Sequence, residues 1–143
     1  MLRFSLALGA ILAIALPASV ASAGSGSNQL RVFFPKDCQH NVYKPKSFVV
    51  TCADANFVVK NVDYSRYGTK SARGTGTASV NTCEPSCVAG TFKSYPVSIR
   101  LSRVRQCGDV PQFRRLTIRF TGKKPKGQDR VTRQPFTCAI PPS

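Results

Sequence analysis

The sequence has a single histidine, only six acidic residues and no long apolar run after its N-terminal segment. Any Ser-His-Asp or Cys-His catalytic site would have to use His40, which lies beside Cys38 in the stretch DCQHNVY. A carboxylate pair for glycoside cleavage would have to come from the six acidic residues, and none of them lies in a suggestive local motif. The stretch GTGT (74–77) lacks the lysine and the following helix of a phosphate-binding loop, so no cofactor is predicted. These absences favour a non-enzymatic protein, and a secreted hydrolase that uses His40 is the alternative.

The N-terminal segment has the pattern of a secretory signal peptide. Arg3 precedes an apolar run from Phe4 to Leu16, and small residues follow up to Ala23. The run is shorter than the roughly 20 residues that a membrane-spanning helix needs. We therefore expect cleavage near Ala23 and release of the protein to the outside of the cell. The chain is accordingly divided into a signal peptide (1–23), a flexible leader (24–29) and a single β domain (30–143).

Helical periodicity is also missing, and several segments instead have the two-residue period of β-strands. In YPVSIRLS (95–102), Val97, Ile99 and Leu101 alternate with polar residues, and RRLTIRF (114–120) repeats this pattern. Each segment therefore predicts a strand with one buried face and one solvated face. Several short strands of this kind predict an all-β fold, namely an antiparallel β-sandwich (Ig-like or a partly closed barrel) that is cross-linked by disulfides.

Turn-forming residues separate the predicted strands. Turn residues such as glycine, proline and aspartate cluster in five connections. These are CADAN (52–56), YGTKSARGTG (67–76), EPSCVAG (84–90), QCGDVP (106–111) and TGKKPKGQD (121–129). A last strand is predicted within residues 133–138, at a sheet edge because Pro135 cannot donate to a ladder.

The cysteines predict three disulfides, since an even number in a secreted chain is typical of a disulfide framework. Cys83 and Cys87 have spacing compatible with a zinc knuckle, but the two further ligands are missing, so no metal is predicted. A bond between them would close a very small ring worth about 2 kcal/mol, whereas a bond such as Cys38–Cys138 would be worth about 4–5 kcal/mol. We therefore expect Cys83 and Cys87 to pair with separate partners. The predicted disulfide cysteines are Cys38, Cys52, Cys83, Cys87, Cys107 and Cys138.

Positive charge is the feature that points most directly to a function. The chain has 21 Lys and Arg against 6 Asp and Glu, a formal net charge of +15. If the strands that carry Arg100, Arg115 and Arg119 are neighbours, their guanidinium groups share one polar surface. Guanidinium groups suit phosphate and carboxylate groups, so this surface predicts anion binding. The predicted anion-binding residues are Arg100, Arg103, Arg105, Arg114, Arg115, Arg119, Lys123, Lys124 and Lys126.

The predicted partners are therefore anionic: a cell-envelope polymer, an acidic lipid surface, or nucleic acid bound without sequence selectivity. Tyr64, Tyr67 and Tyr95 are candidate partners for base stacking. One alternative is a cationic membrane-active protein. Another is a basic surface that attracts anions without selectivity, since clustered charge by itself does not define a site.

Residues 46–120 contain, in order, CADAN, a GTG step, NTCEPSCVAG and a YPV strand. With these motifs this part of the chain resembles an uncharacterised family of small secreted disulfide-containing proteins of high-GC Gram-positive bacteria. The family pattern has two tryptophans where this chain has Tyr64 and Tyr67. The resemblance implies an extracellular location and a β-rich fold, and it transfers no functional residues.

Overall fold

The structure, a computed structural model, describes residues 30–140 and contains β-strands but no helix in that range. The predicted signal peptide, the predicted leader and the last three residues of the predicted domain lie outside the described residues. Within residues 30–140 there is no helix of the length and hydrophobicity that a membrane crossing requires.

Six of the eight strands form one antiparallel sheet in the order β3-β4-β5-β6-β7-β8, and β1 pairs with β2. Every strand of the large sheet is hydrogen-bonded to its neighbour in sequence, and the sheet curves into a half-barrel. The all-β prediction is confirmed, in its partly closed barrel form, and so is the edge position of the last strand. The strands are β1 (Phe34–Pro35), β2 (Asn41–Val42), β3 (Phe48–Val49), β4 (Phe57–Tyr67), β5 (Ala72–Asn81), β6 (Phe92–Cys107), β7 (Val110–Phe120) and β8 (Val131–Pro135).

The concave face of the sheet carries the hydrophobic core. Ile99 of β6 pairs with Ile118 of β7, and Leu101 pairs with Leu116, and all four side chains are buried. This is the face that the alternation in both segments predicts. Because pairing keeps the two-residue period in register, the polar residues between them face away from the core on the convex side.

The N-terminal and C-terminal segments cover the concave face. Phe34 contacts Phe48 and Phe136 edge to face, with ring centroids 5.0 and 4.9 Å away. All three rings are buried within the core. The apolar face of a sheet must be packed against another layer of the protein. The two terminal segments supply that layer on the open side of the half-barrel.

Glycines allow β4 and β5 to approach each other closely. A β-carbon on Gly74 would lie 2.2 Å from the backbone oxygen of Asp63, so only glycine fits there. The register also shifts between Lys60 and Asp63, where two residues of β4 oppose Gly76 alone. The prediction of a connection over residues 67–76 is wrong for residues 72–76, because β5 begins at Ala72.

The three disulfides join Cys38 to Cys52, Cys83 to Cys87 and Cys107 to Cys138. The prediction that Cys83 and Cys87 have separate partners is wrong, and no bond joins Cys38 to Cys138. The physical reason is the side chain of Asn81, which donates to the Cys87 carbonyl at 2.7 Å and accepts from the Cys83 N–H at 3.1 Å. These bonds fold the β5–β6 connection back on itself and bring the two Cα atoms to 3.7 Å.

Candidate functional site

An arginine row crosses the convex face of the half-barrel. In the β4–β5 ladder Arg66 pairs with Arg73, and in the β5–β6 ladder Arg73 pairs with Arg100. Arg100 pairs in turn with Thr117 of β7, which pairs with Arg133 of β8. We call Arg66, Arg73, Arg100 and Arg133 the arginine row. With neighbouring strands about 4.8 Å apart, the row and Thr117, which lies between Arg100 and Arg133, span about 19 Å over five strands.

No carboxylate among residues 30–140 lies within 4.0 Å of a guanidinium of the arginine row, although Asp63 pairs with Thr75 on the same face of the sheet. Among residues 30–140 the one pair of opposite charges within 4.0 Å joins His40 to Asp37, and both lie in the β1–β2 connection, outside the six-stranded sheet. The guanidinium groups of the row make no hydrogen bond to a described side chain or backbone group. Side chains directly opposite in an antiparallel pair have Cβ atoms about 5 Å apart, so like charges here repel. The row therefore presents unpartnered donors to solvent.

A shallow groove of about 490 Å³ runs beside the arginine row. Its cationic wall consists of Arg73 and Arg100 from the row and Arg119 from the adjacent position on β7. Hydroxyl side chains share the groove with these guanidinium groups, and they are Ser65, Thr75, Ser98 and Thr117. Guanidinium and hydroxyl donors together suit the oxygen atoms of phosphate, sulfate or carboxylate groups.

Three of the predicted anion-binding residues lie together on this convex face. Arg100 is in the arginine row, Arg119 pairs with Ser98, and Arg115 pairs with Ser102. Arg103 and Arg105 are exposed near the β6–β7 hairpin and do not line the groove. Arg103 has a φ of 58°, and it interrupts the ladder, so the regular alternation does not extend past it.

Arg114 has a different environment from the groove arginines. Its Nε donates to the Phe136 carbonyl, and its guanidinium lies 3.4 Å from Sγ of Cys138. The side chain is half-buried between β7 and the C-terminal segment. Arg130 is engaged in a similar way, because its guanidinium donates to the Phe120 carbonyl at 3.0 Å. Both groups are thus used in holding the chain together and are withdrawn from an external anion.

The three predicted lysines lie in the loop between β7 and β8, away from the groove. Lys124 donates to the Gln128 carbonyl at 2.6 Å and so closes the loop. Lys126 lines a separate cavity together with Lys93 and Tyr95. Lys93 and Tyr95 pair with Val80 and Ala78, whose side chains belong to the concave face. The structure therefore divides the predicted set between two places.

Arg66, Arg73 and Arg133 are missing from the sequence-based set, although they form most of the arginine row. Arg73 lies in the segment predicted as a Gly-rich connection. Its signal is the alternation of Arg73, Thr75 and Thr77, which extends the predicted β5 strand towards its N-terminus. Arg66 gives no such signal, because the register shift between Tyr64 and Arg66 disrupts the alternation in β4.

The candidate stacking tyrosines belong to the concave side of the sheet. The Tyr64 hydroxyl donates to the Pro45 carbonyl at 3.0 Å, and the Tyr67 hydroxyl donates to the Val32 carbonyl at 2.9 Å. Tyr95 packs edge to face on Phe120, at 5.9 Å between centroids. All three rings pack against the core, so none lies beside the arginine row.

His40 forms an exposed pair with Asp37, at 2.8 Å between Nδ1 and Oδ2. The hydrogen bonds that Asp37 accepts from the His40 side chain and backbone lower the pKa of the Asp37 carboxyl to about 2. Among residues 30–140 no serine, threonine or cysteine makes a hydrogen bond to the imidazole. The pair therefore orders the turn before β2 without forming a catalytic triad in the described part of the chain.

No cluster of three or more metal-ligating side chains occurs within residues 30–140. The three disulfides are consistent with an extracellular protein. Comparisons with protein-family models, with curated proteins and with solved structures found no match to this chain. The resemblance described above therefore stays a prediction, and the geometry of the convex face carries the functional argument alone.

Proposed function

We propose that this protein is a secreted, non-enzymatic binder of linear polyanions and that the arginine row on the convex face is its binding surface. The observation that carries the proposal is the direct pairing of Arg66 with Arg73 and of Arg73 with Arg100. Three guanidinium groups in successive register positions, without a carboxylate within 4.0 Å among the described residues, form an uncompensated charge.

Such an arrangement costs stability in the free protein. Like charges directly opposite in a sheet are destabilising by a few tenths to about 1 kcal/mol per pair. An anion that lies over the row removes this repulsion and gains charge-assisted hydrogen bonds from the guanidinium groups. The free energy of binding therefore includes a favourable contribution from the reduced repulsion between the paired guanidinium groups.

The shape of the surface favours an extended chain of anionic groups. The arginine row is about 19 Å long and one residue wide, and it runs across the strands. The hydroxyl groups of Thr75 and Ser98 lie beside it and donate to the same ligand oxygens. A phosphate-, sulfate- or carboxylate-bearing polymer fits this surface, and nucleic acid would be bound through its backbone without base readout.

Salt-dependent binding of heparin and of duplex DNA tests the proposal. For duplex DNA, the logarithm of the binding constant should fall linearly with the logarithm of salt concentration, with a slope of about −0.9 for each phosphate contact. The double variant Arg73→Gln/Arg100→Gln should reduce the size of that slope by about 2 and weaken the binding of heparin as well.

A matched control uses the opposite side of the molecule. Arg31 and Lys44 lie over the ring of Tyr43, each 5.4 Å from its centroid. The variant Arg31→Gln/Lys44→Gln removes the same net charge and should leave the slope unchanged. Equal effects of the two double variants would show that net charge alone attracts the polymer, and the proposal would be wrong. Preferential binding to anionic vesicles over both polymers would likewise contradict it.

A further inference from the structure

A second cavity lies between the β5–β6 connection and the β7–β8 loop, apart from the arginine row. Its volume is about 500 Å³, within the range of small-molecule sites. Val80, which is 8% exposed, and the half-buried Tyr95 of β6 form an apolar part of the lining, and Asn81, Thr82 and Gln128 form a polar part. Pro125 adds an apolar wall from the β7–β8 loop. The mouths of β-barrels are places where such sites occur.

Cations face this cavity from two different elements. Lys93 belongs to β6, and Lys126 belongs to the β7–β8 loop. Glu84, from the β5–β6 connection, is the one acidic residue in the lining. Neither lysine is within 4.0 Å of a carboxylate among residues 30–140. The lining therefore combines an apolar patch with two lysines against one glutamate.

Both walls of the cavity are held before any ligand arrives. Asn81 anchors the β5–β6 connection through the Cys87 carbonyl, and a β-carbon on Gly90 would lie 2.1 Å from Oδ1 of Asn81. The Cys83–Cys87 disulfide closes that connection. On the other side, Lys124 donates to the Gln128 carbonyl at 2.6 Å. Pre-formed walls reduce the entropy that a ligand must lose on binding.

From this combination we infer that the cavity binds a small amphipathic carboxylate, with its apolar body on Val80, Tyr95 and Pro125 and its anionic group between Lys93 and Lys126. This site is independent of the arginine row, because no residue lines both the cavity and the groove. The ligand of the cavity needs an apolar body as well as a charge. The groove beside the arginine row suits a polymer with a series of anionic groups.

Isothermal titration of the full chain with 2-naphthoate and with its neutral isostere 2-naphthamide tests the inference. 2-Naphthoate should bind at one site, and 2-naphthamide should bind about fivefold more weakly or worse, because it lacks the charge. Inorganic sulfate at the same concentration should not displace 2-naphthoate. Equal binding of the two naphthyl compounds, or displacement by sulfate, would overturn the inference.

Variants locate the site and separate it from the convex face. Lys93→Gln/Lys126→Gln should weaken 2-naphthoate binding about fivefold, whereas the control Lys36→Gln/Lys70→Gln leaves it unchanged. Glu84→Gln should tighten binding about twofold, a gain that a damaged fold does not produce.

Arg73→Gln/Arg100→Gln should leave 2-naphthoate binding intact even if heparin binding fails. Loss of 2-naphthoate binding in that variant, or no change in Lys93→Gln/Lys126→Gln, would refute the assignment.

Discussion

Arg73 of β5 and Arg100 of β6 are register partners on the convex face, and both side chains are exposed without a carboxylate within 4.0 Å among residues 30–140. A pair of equal charges in this position repels across a sheet. Water and salt screen the repulsion but do not remove it at low ionic strength, where the Debye length exceeds 10 Å. A surface optimised for stability would not place two arginines opposite each other, whereas a surface that binds anions benefits from the pair.

Replacement of Arg73 by glutamine should therefore stabilise the protein at low salt. The expected gain in the free energy of unfolding is a few tenths to about 1 kcal/mol. In about 1 M salt the Debye length falls to about 3 Å, and the gain should vanish. Urea unfolding at low and high salt measures both values. The control Arg31→Gln, on the other side of the molecule, should show no such salt-dependent gain, and a loss of stability in Arg73→Gln at low salt would contradict the prediction.

Tyr64 and Tyr67 should make the fold sensitive to alkali. Burial raises the pKa of Tyr64 and of Tyr67 well above the ordinary value of 10.0, and the Tyr67 ring adds to the effect on Tyr64. The unfolded chain loses these protons near pH 10 while the folded chain retains them. The contribution of the two tyrosines to the free energy of unfolding should therefore be constant up to about pH 10 and decrease as the pH rises further.

Urea unfolding at several pH values, together with ultraviolet titration of tyrosinate, measures this effect. Tyr67→Phe leaves the Val32 carbonyl without its donor and should cost about 1 kcal/mol at neutral pH. It should also reduce the alkaline loss of stability. Tyr43→Phe is the matched control, since its hydroxyl makes no hydrogen bond to a described residue. An unchanged alkaline profile in Tyr64→Phe/Tyr67→Phe would contradict the assignment.

The regular strands were predictable from sequence, and so was the part of the convex face that depends on them. β6 keeps a period of two up to Ser102 and β7 keeps it from Arg115 onward, so their apolar residues place Arg100, Arg115 and Arg119 on the opposite side of the sheet. Arg66 and Arg73 could not be placed this way. β4 contains register shifts and β5 contains glycines mid-strand, and both features depend on pairing between distant segments.

Loop conformation limited the remaining predictions in a different manner. Ring entropy predicts that a small disulfide ring is the weaker cross-link, but it does not decide whether the ring forms. The Cys83–Cys87 bond depends on the Asn81 side chain, which holds the Cys83 N–H and the Cys87 carbonyl at once. The spacing between cysteines in the sequence does not predict that contact. The position of Lys126 beside Lys93 likewise depends on how the β7–β8 loop folds over the core.

Gln112 should be the most costly polar residue to remove, because it joins the two segments that cover the core. Its side chain is fully buried. Its Oε1 accepts from the Asn41 side chain at 3.1 Å and from the Ala139 N–H at 2.9 Å. Its Nε2 donates to the Thr137 carbonyl at 2.8 Å. The network therefore ties the C-terminal segment to β2 and β7.

Gln112→Leu leaves the Asn41 and Ala139 donors without this acceptor and should lower the free energy of unfolding by about 3 kcal/mol. Hydrogen exchange should become faster in residues 136–140. The control Gln106→Leu removes an exposed glutamine with one hydrogen bond to the Gly108 carbonyl, and it should cost less than about 0.5 kcal/mol. Similar losses in the two variants would show that the buried network adds little to the cover of the core.

The disulfides should differ in what their removal changes. Cys107 and Cys138 are 31 residues apart in sequence, so Cys107→Ser/Cys138→Ser should cost about 4 kcal/mol on the chain-entropy model. Cys83 and Cys87 are 4 apart, and Cys83→Ser/Cys87→Ser should cost about 2 kcal/mol. Urea unfolding under non-reducing conditions measures both, and the reverse order would contradict the entropic account.

Ligand binding separates the two disulfides further. The Cys83–Cys87 ring stiffens one wall of the cavity that contains Lys93 and Lys126, so its loss should weaken the binding of 2-naphthoate. The arginine row lies on regular strands, and the salt slope of DNA binding should not change. Removal of the Cys107–Cys138 bond should leave both kinds of binding intact wherever the protein is still folded. A changed DNA slope in Cys83→Ser/Cys87→Ser would show that the loop and the convex face are coupled.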